Sequence, residues 1–122
     1  MSSTPIPPRA LTDLETSVVT KLLSSNAPGA SEYLAQVPYS QVVATWGVGS
    51  PSVDLAVRPG AVQASGSTDG IFASGAVTDR NGSPIGEVIL WVDNGWLSGI
   101  EYAWYTDERP HALPEPGQIE LL

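Results

Sequence analysis

The sequence predicts an α+β fold, with N-terminal helices packed on a five-stranded antiparallel β-meander. Three observations carry that prediction. Apolar residues recur at helical spacing only near the N-terminus, from Leu11 to Leu23. From Gln41 onward the apolar period drops to two, the period of a strand with one face turned inward. Asn81-Gly82 and Asn94-Gly95 then punctuate the apolar runs as tight hairpin turns require, since both residue types tolerate positive φ. These signals divide the chain into a flexible Pro-rich arm (residues 1–10), a single domain (11–105) and an extended Pro-rich tail (106–122).

In the arm, Pro5, Pro7 and Pro8 argue against any helix or ladder through Met1 to Arg9. Thr12 and Glu15 form a capping-box pattern, in which hydroxyl and carboxylate satisfy the free amides of a helix start. Leu14, Val18, Leu22 and the adjacent Val19 and Leu23 give that helix a wide apolar stripe ending near Ser25. Asn26-Ala27-Pro28-Gly29 breaks it, and a shorter helix through Tyr33 and Leu34 reaches about Gln36, closed by Pro38.

The first strand, Gln41 to Trp46, is apolar on both faces and so reads as internal. Gly47-Val48-Gly49-Ser50-Pro51 turns the chain into a second strand, Val53 to Arg58, with Asp54, Ala56 and Arg58 on a wet face. Ala61 to Gly70 reads as a surface loop and Ile71 to Asp79 as a third strand, in which Gly75 marks a bulge or a close approach. Ile85–Val92 and Trp96–Trp104 form the last hairpin. It carries most of the aromatic surface and should organise the core. The tail would run over the surface, pinned by Ile119, Leu121 and Leu122.

At 122 residues with no cysteine, the chain forms one domain without disulfides, thiolate metal sites or cysteine nucleophiles. The net charge is −8, and the five basic residues are scattered, so no patch suits a phosphate backbone. No stretch approaches the about 20 apolar residues of a membrane helix, and no secretory leader precedes Leu11, so a cytoplasmic protein is the simplest expectation. The acidic balance favours solubility and attraction to a basic partner.

Four features are candidates for chemistry. The carboxylates Glu87 and Glu101 fall opposite each other if Asp93-Asn94-Gly95 is a three-residue bulged loop. The pair would then offer a general acid beside a general base. If Asn94-Gly95 is a two-residue turn, Glu87 meets Tyr102 instead and both glutamates are simply solvated. Trp96, Ile100, Tyr102 and Trp104 share one parity of the last strand. That face is either an aromatic partner-binding surface rimmed by acids or a core covered by the tail. The loop Trp46 to Ser52 is rich in Gly and Ser, but a strand and not a helix follows it, which disfavours phosphate. His111 lies in the irregular tail with no assignable partner, and Asp54 and Asp69 lack metal-ligand spacing. No cofactor or metal is called for.

The segments Gly49-Ser50-Pro51-Ser52-Val53-Asp54-Leu55, Pro84-Ile85-Gly86-Glu87-Val88, Leu97-Ser98-Gly99-Ile100-Glu101 and Tyr105-Thr106-Asp107-Glu108 resemble a family of small uncharacterised bacterial proteins. The resemblance covers about Leu11 to Pro116 and implies no established activity. Members often carry cysteines around the loop before Pro51, where this chain has Trp46, Val48 and Ser50, so any metal or redox chemistry of those cysteines would be absent. The expectation is therefore a small acidic protein-binding module, monomeric or homodimeric. The alternatives are a small enzyme using Glu87 and Glu101, or a structural homodimer.

Overall fold

The computed structural model describes residues 3–66 and 69–122. It is an α+β fold in which two short helices, α1 (Asp13–Leu22) and α2 (Ala30–Leu34), accompany one antiparallel sheet. Among the described residues the sheet has seven strands: β1 (Thr4–Ala10), β2 (Ser40–Thr45), β3 (Val53–Val57), β4 (Gly70–Thr78), β5 (Pro84–Asp93), β6 (Trp96–Trp104) and β7 (Ile119–Leu121). All five expected strands are present, but they are not a simple meander. The order is β1-β2-β3-β6-β5-β4-β7, so β3 lies beside β6 and not beside β4. Strands β3 to β6 thus make a Greek key.

The connection from Arg58 to Asp69 makes this order possible. It passes the tip of the β5–β6 hairpin and is tied to it. Ala64 N–H donates to Gly95 C=O (2.9 Å), Gln63 Nε2 donates to Asn94 C=O (2.6 Å), and Asp69 Oδ1 accepts from Asn94 N–H (2.7 Å). Gln36, fully buried, completes the clamp: its Nε2 donates to Val62 C=O and Gly95 C=O, and its Oε1 accepts from Leu97 N–H. One carboxamide therefore pairs the buried Leu97 N–H, gives Gly95 C=O a second donor beside Ala64 N–H, and reaches out to Val62 C=O.

Both additional strands are at the sheet edges. The N-terminal arm forms edge strand β1, contrary to expectation, and its prolines are accommodated where a missing N–H matters least. Pro5 opposes Ala44 and Arg9 opposes Val42, with Ile6, Pro7 and Pro8 in the irregular stretch between. Arg9 then forks onto Glu15 of α1, Nη1 to Oε1 at 2.8 Å and Nη2 to Oε2 at 3.1 Å. The capping box forms, with Thr12 Oγ1 accepting from Glu15 N–H and Thr12 N–H donating to Glu15 Oε1. In the tail, Leu113 and Ile119 are buried, and β7 pairs with β4 through Gly75↔Leu121 and Val77↔Ile119.

One face of the sheet carries the core. Val42, Val53, Leu55, Val77, Val88, Leu90, Val92, Leu97, Ile100 and Tyr102 meet Val18, Val19, Leu22 and Leu23 of the α1 segment and Tyr33 of α2. Gly75 lies under α1, where a Cβ would press on Leu22 and Ile119. Its role is close approach.

Candidate binding surface

The register of the β5–β6 hairpin decides which side chains reach the other, helix-free face. Asn94 (φ 52°) and Gly95 (φ 82°) form the two-residue turn, and Asp93 opposes Trp96. A bulge follows at once: Val92 opposes Leu97 while Trp91 opposes Gly99, leaving Ser98 extra. The bulge reverses the parity of everything beyond it. Trp96 therefore parts from Ile100 and Tyr102, which point into the core at 0% and 6% exposure. The expected partner-binding set Trp96, Ile100, Tyr102 and Trp104 does not share a surface. Trp96 is partly exposed on the opposite face, and Trp104, 38% exposed, lies at the end of the core side.

The bulge also settles the carboxylates, in neither expected register. Glu87 opposes Ala103 and Glu101 opposes Ile89, so the two glutamates are diagonal neighbours on the helix-free face. The facing acid–base pair does not form. His111 is exposed in the tail, lining a cleft with Arg9, Thr12 and Glu15. Among the described residues no group of three or more His, Asp or Glu side chains is placed to hold a metal ion.

The helix-free face instead brings together residues from six strands. A cross-strand row runs Pro5, Ala44, Asp54, Gly99, Trp91, Ile71. Gly99 stands between Asp54 and Trp91 with no side chain, opening a notch two strand spacings wide, roughly 9–10 Å. Trp46, leaving β2, closes the other side. Trp46 Nε1–H donates to Asp54 Oδ1 (2.9 Å), and Trp91 Nε1–H donates to Glu101 Oε1 (3.0 Å). Ser3 Oγ donates to Asp54 Oδ2 (2.5 Å). Together Ser3, Trp46, Asp54, Trp91 and Glu101 line a cleft of about 420 Å³ that continues over Ser98 and Gly99.

All four principal side chains are half-buried: the indoles present apolar area while their polar edges are fixed. Neither carboxylate forms an ion pair among the described residues. The one ion pair among those residues is Arg9–Glu15, which lines a different cleft. Tyr102 and Trp104 line a smaller cleft of about 250 Å³ beside the Trp46–Trp91 cleft, which shares Trp46 and Glu101 with it and also holds Arg109, whose guanidinium donates to Val48 C=O.

In the sequence Trp46 ends the first strand and opens the Gly- and Ser-rich loop, and Trp91 is one of the aromatics of the last hairpin. The available signal was Ser98-Gly99, a small pair interrupting an aromatic strand, which marks a bulge or a close approach. No protein-family model, curated protein or solved structure matches the chain. Any functional reading rests on the cleft itself.

Proposed function

We propose that this protein is a cytoplasmic binding module that holds a basic protein partner against the helix-free face of its sheet. The observation carrying this reading is the Trp46–Trp91 cleft, where two indoles are buttressed by Asp54 and Glu101 and, among the described residues, neither carboxylate forms an ion pair. Tryptophans with fixed polar edges are what interface anchors are made of. The charge of −8 supplies long-range attraction to a basic partner and disfavours self-association through the same face, which would bring like charges together. Among the described residues no helix is long and apolar enough to cross a membrane.

The test is affinity capture from source cytosol with the wild-type chain beside a Trp46→Ala, Trp91→Ala variant shown to be folded by circular dichroism. One basic protein recovered stoichiometrically by the wild type, lost with the variant and weakened by salt is the expected result. A partner retained equally by the variant sinks the proposal. A salt-resistant dimer in sedimentation, broken by the same variant, would transfer the face to self-pairing.

A further inference from the structure

Resting on that reading, we infer that the notch over Gly99 is a receptor for one arginine side chain of an extended basic segment. Three features of the cleft converge on a guanidinium. The first is shape. The row Asp54–Gly99–Trp91 removes one side chain from an otherwise continuous face, and a Cβ at Gly99 would press on Val53 C=O at 3.3 Å and lie 3.7 Å from Trp91 Cβ and 3.9 Å from Asp54 Oδ1. The glycine keeps open the space in which a flat side chain can lie.

The second feature is the wall chemistry. Trp46 and Trp91 share the cleft with Asp54 and Glu101, so an occupant touches aromatic surface and carboxylate at once. A guanidinium satisfies both, stacking on an indole while its coplanar N–H groups reach oxygens at its rim. A compact ammonium meets only one demand well at a time, and a neutral amide gains neither the ring quadrupole nor charge-assisted hydrogen bonds.

The third feature is the set of acceptors left over. Each indole N–H occupies one oxygen of its carboxylate: Oδ1 of Asp54 and Oε1 of Glu101. Asp54 Oδ2 takes the Ser3 hydroxyl and keeps a second lone pair, while Glu101 Oε2 accepts from no side chain among the described residues. These donors are neutral, so both carboxylates are oriented without being neutralised. The site is pre-organised, with its ordering cost met by folding.

The probe is a blocked tripeptide, N-acetyl-Gly-Arg-Gly-amide, titrated into the full chain while the four indole Nε1–H resonances are followed by NMR. The expected result is movement of the Trp46 and Trp91 resonances, with Trp96 and Trp104 still, saturating at a few millimolar, as suits a single side chain. The citrulline peptide, isosteric but neutral, should bind about tenfold more weakly or worse. Asp54→Asn and Glu101→Gln preserve the acceptors for the indoles and should each weaken the arginine peptide about five- to tenfold.

Silence of both indoles up to about 50 mM peptide, beyond the range a useful receptor could need, overturns the inference. So does equal binding of the citrulline peptide, or tighter binding of lysine or trimethyl-lysine peptides. The outcomes separate from those of the capture experiment. A partner lost with the tryptophan variant while the tripeptide leaves the indoles silent refutes the arginine receptor and keeps the interface. Tripeptide binding with a partner indifferent to the tryptophans keeps the receptor and refutes the interface.

Discussion

The two faces of the β5–β6 hairpin treat polar groups in opposite ways. On the covered side, Gln36 donates to Val62 C=O and Gly95 C=O and accepts from Leu97 N–H, so its buried polar atoms are matched by backbone partners. On the open side, Asp54 and Glu101 each accept an indole N–H and, among the described residues, form no ion pair. Matching by the chain's own backbone fixes a structure. Matching of a charge by a neutral donor fixes only its position and leaves the charge available to a ligand. The first arrangement is what a fold requires, and the second is more than a fold requires.

The comparison breaks most visibly at Gln36. Gln36→Ala leaves the buried Leu97 N–H without its partner and takes from Gly95 C=O one of its two donors, and it opens a cavity. A loss of about 3–4 kcal/mol is expected, read as a lower urea midpoint with unchanged slope. A loss below about 1 kcal/mol would mean that the clamp on the hairpin tip does not hold the crossover connection.

Gly75 tests the same face through packing. A Cβ there would meet Ile119 Cγ2, the Glu120 carbonyl at 3.3 Å and Leu22 Cδ2 at 3.4 Å. Gly75→Ala should cost about 2–3 kcal/mol, and hydrogen exchange should show β7 losing protection before β5 does.

Glu15 is the informative intermediate case, since it is the carboxylate to which the chain supplies a cation. Burial alone would raise its pKa, but the Arg9 guanidinium and the amide and hydroxyl of Thr12 outweigh burial and hold it below its ordinary value of 4.5. A folded-state pKa below the unfolded one stabilises above the unfolded pKa, and that stability is lost as pH falls through the folded value. Urea midpoints of the wild type should therefore fall on acidification below about pH 4.5, and Glu15→Gln should flatten that fall. At pH 7 the variant should lie about 1.5–3 kcal/mol below the wild type.

Much of the covered face was legible in the sequence, because alternation and spacing report burial directly. The capping box at Thr12 and Glu15, the stripe through Val18 and Leu22, and the turn at Asn94-Gly95 all follow from local chemistry. What was not legible depends on distant pairings. The placement of β3 beside β6 is made through a long connection whose anchor, Gln36, is polar and gives no periodic signal. The strand character of Thr4–Ala10 was obscured by prolines that an edge tolerates. On the last strand the open face was misassigned for one reason: the extra residue at Ser98 reverses parity, which exchanges Ile100 and Tyr102 for Gly99 and Glu101. A strict period of two cannot carry a bulge.

The smallest expected effect is the sharpest test of the contrast between the faces. If Asp54 and Glu101 are oriented for a ligand and not for the fold, their charge should be nearly irrelevant to stability. In the Asp54→Asn, Glu101→Gln variant a carboxamide oxygen would still accept from Trp46 Nε1–H and from Trp91 Nε1–H, while two negative charges disappear from a strongly acidic chain. Stability should change by no more than about 0.5 kcal/mol, and relief of repulsion favours a small gain over a loss. A loss of about 2 kcal/mol or more would show that these carboxylates support the sheet as Gln36 supports the hairpin tip, and the distinction between the faces would collapse. An unchanged urea midpoint, coupled with loss of the cation response at both indoles, would show the charge of that face serving recognition alone.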